Sequence, residues 1–243
     1  LEQALIHWPQ LNSDWTNQTL KAQVTSICCI GWKVLGKKKT HCINAWDFKA
    51  TWKKDVNEDI EILKALREVL EDADCIVTHN GKRFDLKYIN TRLLIKGLKP
   101  LTKLKHADTK QASSRNLFLL NNRLDNIGTQ LCGDKKLKHE GWPLWVKTHK
   151  RDPKAMAKMA KYCKQDINLT EKVFKVLRPF INEVPNYANY VPKDKLICPK
   201  CGSDSTYKNG QHSTTTKLYQ RMCCKNCGNT FRLDVKGYNP RNV

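Results

Sequence analysis

The alternation of apolar and polar positions predicts an α/β domain that opens with a β-hairpin. Val24–Leu35 is an apolar, β-branched run, Gly36–Lys39 has turn chemistry, and Thr40–Trp46 is expected to return as the hairpin partner. Residues 1–20 show no clean period and are assigned to a strand remnant and a loop. The order of elements predicts a mixed sheet, antiparallel at the front and parallel behind it, with flanking helices.

Helical and strand periodicity predicts the rest of this domain. Asp55 and Glu58 have the spacing of a capping box, and the helix that follows is expected to run to about Leu70. Further on, the pattern predicts a strand at Cys75–Thr78, a helix at Asp85–Lys96, a strand at Lys105–Thr109, and helices at Leu124–Leu131 and Lys154–Leu177, the last of which can contain a break.

Composition shifts divide the chain of 243 residues into a large domain and a small one. We expect an α/β domain over 1–182, a linker rich in Pro, Asn and Tyr over 183–194, a small β domain over 195–235, and a tail over 236–243. No run approaches the ~18 apolar residues that a membrane span needs. No signal-like segment is visible, so we expect a cytoplasmic protein (or a phage or prokaryotic intracellular one) that is not secreted.

The charge of the chain indicates a polyanionic partner. The sequence has 44 Lys and Arg against 23 Asp and Glu, a formal net charge of +21, and its basic residues are scattered rather than confined to one tail. This balance favours nucleic acid, although charge alone can also serve solubility.

A carboxylate stands at the switch from the Cys75 strand to the next helix. His79-Asn80-Gly81 is turn chemistry in which Gly81 can take a positive φ, and Asp85 opens the helical pattern. The ends of strands in α/β folds are where ligands bind. The competing interpretation is a helix whose first residue complements the dipole.

A second carboxylate lies on the late helix, four residues after a tyrosine. Tyr162 and Asp166 are one turn apart on one helix face, so they could present a carboxylate to a metal and a phenol to water or phosphate. The alternative is a half-buried Tyr beside a surface Asp. Asp108 and Asp125 are further carboxylates, for which a strand end and a helix cap are the favoured roles.

Together these motifs resemble a nuclease family. Asn80-Gly81-x-x-Phe84-Asp85, followed much later by Tyr162-x-x-x-Asp166, is similar to the second and third motifs of DEDDy-type 3′–5′ exonucleases. These belong to the DnaQ-like group on the ribonuclease H-like fold, which includes the proofreading exonucleases of B-type polymerases. The resemblance covers about residues 1–180.

The resemblance implies a metal-dependent hydrolysis of phosphodiester bonds. Asp85 and Asp166 would be ligands of two Mg²⁺ or Mn²⁺ ions, Tyr162 would orient the attacking water, and Asn80 and Phe84 would position the substrate. The implied substrate is nucleic acid, with DNA favoured over RNA.

The first motif of that family, Asp-x-Glu on the first strand, is missing from this sequence. One interpretation makes Leu1-Glu2 the end of an Asp-Leu-Glu whose Asp preceded Leu1, so that Glu2 would be a catalytic metal ligand. The alternative is a non-catalytic nucleic-acid-binding module with a degenerate exonuclease fold.

Cysteine spacing predicts one structural zinc ion near the end of the chain. Of 11 cysteines, six lie within apolar segments, as buried reduced thiols do, and five crowd into the last fifth. Two C-x₂-C pairs supply four thiolates to one tetrahedral Zn²⁺, with Cys223 left spare, and resemble the zinc ribbons of transposases and other DNA-handling proteins. A disulfide pair is the alternative. The four ligands would be Cys198, Cys201, Cys224 and Cys227.

The zinc ribbon is expected to contain a β-hairpin with arms at Tyr207–Lys208 and Lys217–Arg221. Its basic residues suit contacts with phosphates, so nucleic acid is the favoured partner and protein docking the alternative. They are Lys200, Lys208, Lys217, Arg221, Lys225, Arg232 and Arg241.

Overall fold

The structure is a computed structural model that describes residues 3–7, 26–55, 57–102, 104–137, 140–150, 152–192 and 195–235. It has two compact units, Leu1–Lys175 and Val176–Val243, whereas the sequence placed the division after residue 182. In chain order the elements are β1 (Gln3–His7), β2 (Cys29–Val34), β3 (His41–Asn44), α1 (Lys49–Lys54), α2 (Ile60–Glu71), β4 (Cys75–Thr78), α3 (Asp85–Ile95), β5 (Lys105–Asp108), α4 (Thr109–Asn116), α5 (Leu124–Cys132), α6 (Trp142–His149), α7 (Pro153–Leu177), β6 (Thr206–Ser213), β7 (Leu218–Cys224) and β8 (Thr230–Asp234).

The first unit is built on a five-stranded sheet in the order β3-β2-β1-β4-β5. β1 pairs with β2 and β2 with β3 in antiparallel fashion, while β4 lies parallel to both β1 and β5. The expected mixed sheet, antiparallel at the front and parallel behind it, is therefore confirmed.

Alternate residues of β2 face two separate cores, because successive side chains in a strand point to opposite sides. Ile30 belongs to a core completed by apolar residues of α2 and α3, such as Leu63, Leu66 and Leu93. Its neighbour Cys29 belongs to a second core, formed with residues of α6 and α7. Helices thus cover the sheet on both faces. α7 packs against the antiparallel part of the sheet, on the face to which Cys29 points.

The hairpin is shorter than the sequence predicted. β2 begins only at Cys29, since residues 26–28 form no strand, and positions 24 and 25 lie outside the described residues. β3 ends at Asn44, whose side chain accepts a hydrogen bond from the Trp46 amide and so starts a 3₁₀ turn over Ala45–Phe48. The capping chemistry of Asn44 overrides the extended preference of the residues that follow it.

The predicted capping box before α2 is wrong. The Asp55 side chain accepts a hydrogen bond from the Asn57 amide, and α2 begins later, after Asp59. Asp59 is buried and accepts hydrogen bonds from Arg92 Nε at 2.8 Å, Arg92 Nη2 at 2.7 Å and the Ile27 amide at 2.9 Å. This carboxylate therefore joins α2 to α3 and to the residues before β2.

Three helices were missed and one is simpler than expected. The sequence pattern did not mark α1, α4 or α6, whereas α7 is one unbroken helix of 25 residues. The predicted strand β4 and the start of α3 are confirmed. α5 runs one residue beyond the predicted Leu131, to Cys132, and is followed by Gly133 in a left-handed conformation. No helix within the described ranges combines the length and apolarity of a membrane span.

The second unit contains a three-stranded antiparallel sheet in the order β6-β7-β8. The predicted hairpin corresponds to β6 and β7, with both arms longer than expected and an irregular register between Lys208 and Gln211. The third strand, β8, was not predicted, although Phe231 and Leu233 alternate with polar residues as in a half-buried strand.

Candidate active site

The turn after β4 positions the stretch that leads to Asp85. Asn80 adopts a positive φ of 75°, a conformation that asparagine tolerates better than most residues. Gly81 does not have the positive φ that was expected. Glycine is needed here because a Cβ atom would lie 2.2 Å from Thr78 Oγ1, so only glycine lets the backbone approach that hydroxyl. The Gly81 amide donates to that same hydroxyl at 3.0 Å.

Asp108, at the end of β5, holds this turn in place. Its Oδ1 accepts from the amides of Asn80 and Lys110, both at 3.0 Å, and of Gln111 at 3.2 Å. Its Oδ2 accepts from the Lys82 amide at 3.1 Å. A carboxylate that accepts hydrogen bonds from four amides has little acceptor capacity left. The predicted position of Asp108 at a strand end is confirmed, and its role as the cap of α4 was not predicted.

Asp85 is buried and occupies the first turn of α3, which follows the C-terminal end of β4. Phe84 precedes it as the helix cap, and the Phe84 ring stacks on that of Tyr88 with centroids 6.3 Å apart. The Phe84 amide donates to the Asn80 carbonyl at 3.2 Å. The strand, the turn and the first helical turn thus determine where the Asp85 carboxylate lies.

Tyr162 and Asp166 lie together in the buried middle of α7. Asp166 is fully buried and Tyr162 nearly so. Burial raises the pKa of the Tyr162 phenol well above its ordinary value, and the negative charge of the neighbouring Asp166 carboxylate raises it further. The phenol therefore remains a hydrogen-bond donor at any physiological pH.

Lys136, which the sequence reading missed, contacts both of these residues. Its Nζ lies 2.5 Å from Asp166 Oδ2 and 4.8 Å from the centroid of the Tyr162 ring. Asp125 positions the loop of Lys136 by accepting a hydrogen bond from the Lys136 amide at 2.7 Å. Asp134, in the same loop, forms an ion pair of 2.6 Å with Lys172 of α7. In the sequence, only the general basic character of Lys135-Lys136 was visible.

The residues proposed for the first motif are only partly covered by the structure. Glu2 lies outside the described residues. The register pairs Gln3 with Cys75 at the start of β4 and Leu5 with Val77 near its end. The later part of β1 therefore meets the edge of the sheet that leads to Asp85, and Gln3–His7 contains no carboxylate.

The second unit brings the four predicted zinc ligands together. The sulfur atoms of Cys198, Cys201, Cys224 and Cys227 all lie within 4.8 Å of one another, in a group that could hold a metal ion. Cys198 Sγ lies 3.6 Å from Cys227 Sγ, and Cys201 Sγ lies 3.6 Å from Cys224 Sγ. Four thiolates at 2.3 Å from a tetrahedral Zn²⁺ would be about 3.8 Å apart, so the donor set fits zinc.

The two C-x₂-C turns have matching backbone geometry. The Gly202 amide donates to the Cys198 carbonyl and the Gly228 amide to the Cys224 carbonyl, each at 2.9 Å. Both glycines have a positive φ, 75° and 73°, which allows the chain to leave each turn in the left-handed region. Cys223 lies outside the group of four, as expected from its spacing.

The basic residues of the ribbon differ in their availability. Lys200 Nζ donates to the Ile181 carbonyl and to Asn182 Oδ1, so its ammonium serves local structure. Among the exposed basic side chains, Lys217 pairs with Asp234 and Arg221 donates to the Asn209 carbonyl. Lys208, Lys225 and Arg232 are also exposed and lie on or beside the strands. Arg241 lies outside the described residues.

Comparison with known proteins identifies the family of the first unit. A family model described as the RNase_H superfamily matches residues 17–178, which is more than half of the chain. A search of curated proteins finds no match.

Proposed function

Because this chain belongs to the RNase_H superfamily, we propose that it is a metal-dependent 3′–5′ exonuclease acting on nucleic acid, DNA in preference to RNA. The observation that supports this most is the pairing on α7 of a buried carboxylate, Asp166, with a buried phenol, Tyr162. A fully buried acidic group is costly, so its retention beside a protonated phenol favours a chemical role.

Asp85 and Asp166 are the proposed ligands of two Mg²⁺ or Mn²⁺ ions, while the role of Glu2 stays a prediction from the sequence. When bound, such ions would generate the attacking hydroxide and stabilise the leaving 3′ oxygen. Tyr162 would orient the attacking water through its O–H, while Asn80 and Phe84 shape the turn that positions Asp85.

The charge of the chain and the ribbon supports a nucleic-acid substrate. The net charge of +21 favours binding to a phosphate backbone, and the exposed basic side chains of β6 to β8 suit the same partner. We propose that the ribbon, stabilised by one structural Zn²⁺, helps to hold DNA. A ribbon that docks a protein instead would leave DNA affinity unchanged in a Lys225→Gln, Arg232→Gln variant.

The activity is tested with a 5′-labelled oligonucleotide and the full chain in Mg²⁺ or Mn²⁺. The expected result is a ladder of products shortened from the 3′ end, absent with a chelator. Asp85→Asn and Asp166→Asn should abolish the ladder. Tyr162→Phe should lower kcat by on the order of 10²-fold with little change in KM, because the ring remains and only the O–H is lost.

Asp74→Asn is the matched control, because Asp74 is exposed and precedes β4 at the opposite end of the strand from Asp85. DNA and RNA of one sequence are compared in parallel. An intact oligonucleotide in both metals, or the same ladder from Asp85→Asn as from the unchanged protein, would contradict the proposal.

A second candidate is a nucleic-acid-binding module that does not hydrolyse its ligand. Two observations favour it: Gln3–His7 of β1 contains no carboxylate, and Lys136 places an ammonium on Asp166. This candidate predicts salt-sensitive binding that is indifferent to divalent ions. Binding that strengthens with Mn²⁺, and loses that effect in Asp166→Asn, would exclude it.

A further inference from the structure

Three cysteines form a cluster in the first unit, away from the predicted zinc ribbon. The sulfur atoms of Cys29, Cys42 and Cys163 all lie within 4.8 Å of one another. The Sγ atoms of Cys29 and Cys42 are 3.1 Å apart. Cys29 and Cys163 are buried and Cys42 is partly exposed, so the cluster lies at the border of the core and can be reached from one side.

The fold assembles this cluster from three distant segments. Cys29 and Cys42 lie on the paired strands β2 and β3, where Cys29 is opposite Asn44 and Cys42 is opposite Gly31. The two cysteines are therefore diagonal neighbours on one face of the sheet. Cys163 comes from α7, which packs on that face.

Gly31 provides the space that the third sulfur occupies. A Cβ atom at this position would lie 2.7 Å from Cys163 Sγ, closer than real contacts allow. The absence of a side chain on β2 opposite Cys42 thus allows the Cys163 thiol to approach the strand. A side chain at position 31 would push the Cys163 thiol away from the thiols of Cys29 and Cys42.

Three convergent sulfur atoms are a ligand set for a soft cation. Thiolates select Cu⁺ and Zn²⁺ over hard cations such as Mg²⁺, which require oxygen ligands. Three thiolates at about 2.3 Å from a central ion would be roughly 4.0 Å apart, within the span of this cluster. We propose that Cys29, Cys42 and Cys163 bind a thiophilic cation, Cu⁺ or Zn²⁺, each thiol releasing its proton to solvent on binding.

Such an ion would join α7 to the β2–β3 hairpin. Cys163 is adjacent to Tyr162 and lies three residues before Asp166, so a bond from its sulfur would restrain the helix that carries both. The cation would act on those residues through the position of α7 and would not itself touch a substrate.

The test is the metal content of the full chain, supplied with Zn²⁺ or Cu⁺ in separate preparations and then desalted. Elemental analysis should find two thiol-bound ions per chain, one of them in the ribbon. Cys163→Ser should retain one. Cys75→Ser should retain two, because Cys75 is equally buried but lies on β4 outside the cluster. The preparation that keeps its second ion identifies the metal.

Two further measurements distinguish the loss of one ligand from misfolding of the Cys163→Ser variant. Cys42→Ser alters the partly exposed ligand and should also lower the content to one ion. Cadmium-113 NMR of the Cd²⁺-loaded chain should show two signals, one for three sulfur ligands and one for four, and Cys42→Ser should remove only the first. Three results would overturn the proposal. They are a single ion in the unchanged protein, two ions in both Cys163→Ser and Cys42→Ser, or a Cys29–Cys42 disulfide found by mass spectrometry.

Discussion

Replacing Lys136 with methionine separates the two candidate functions of the Asp166 site. Methionine keeps most of the aliphatic length of the side chain and removes its charge. In the unchanged protein the ammonium lies 2.5 Å from Asp166 Oδ2 and 4.8 Å from the centre of the Tyr162 ring. A divalent ion that binds Asp166 must therefore compete with this ammonium.

The size of the effect follows from the burial of the two partners. The Asp166 side chain is 0 % exposed and that of Lys136 is 25 % exposed. Removing one partner of a fully buried ion pair costs about 3–5 kcal/mol. Because water reaches Lys136, we expect Lys136→Met to lower the free energy of unfolding without metal by about 2–3 kcal/mol.

Added Mn²⁺ should reverse this loss. An ion present at 100 times its Kd stabilises the folded state by about 2.7 kcal/mol. In Lys136→Met the ion no longer has to displace the ammonium. Each 1.4 kcal/mol of that displaced interaction is equivalent to about tenfold tighter Mn²⁺ binding. Urea unfolding with and without Mn²⁺ should show a larger gain in Lys136→Met than in the unchanged protein.

The double variant Lys136→Met, Asp166→Asn provides the control. It should recover most of the stability without metal, because neither charge remains, and it should not respond to Mn²⁺. A gain from Mn²⁺ in Lys136→Met that is equal to or smaller than that of the unchanged protein would refute the reasoning. Absence of any gain in both would favour the non-hydrolytic candidate.

Two further predictions concern buried charges of the scaffold. Asp59→Ala should lower the free energy of unfolding by about 3–5 kcal/mol in urea, because it leaves the guanidinium of Arg92 buried; addition of Arg92→Met should recover part of the loss, and full additivity would contradict this. Burial raises the pKa of Glu171, but hydrogen bonds from Lys175 and Lys33 outweigh it, so the pKa lies below its ordinary value. The stability that Glu171 contributes is therefore present above about pH 4.3 and is lost as the pH falls through its lower folded value. Glu171→Gln should cost about 2 kcal/mol at pH 7 and progressively less in acid, and a pH-independent cost would count against the ion pairs.

Local sequence determined those features that depend on neighbouring residues. The apolar run of β4, the following turn and the long amphipathic repeat of α7 were readable because their periods are carried within a few residues. The two C-x₂-C pairs were readable for the same reason, since each tight turn supplies two thiolates by itself. The helices α4 and α6 escaped because α4 is mostly polar and α6 is short.

Contacts between distant segments could not be read from the sequence. Lys136 meets Asp166 because the loop after α5 is held against α7, and no local pattern marks that pairing. Asp59 carried no signal in the sequence, yet it accepts hydrogen bonds from Arg92 and from the Ile27 amide.

The cysteines show the difference between the two kinds of information within one chain. The spacing of four of them predicted their grouping in the ribbon. Cys29, Cys42 and Cys163 looked like isolated core thiols, because sequence separation conceals what sheet pairing and helix packing bring together. The pairing of β2 with β3 and the gap at Gly31 bring those three sulfur atoms to one place. Local chemistry therefore predicted the elements and the ribbon, while tertiary packing determined which charges and thiols are neighbours.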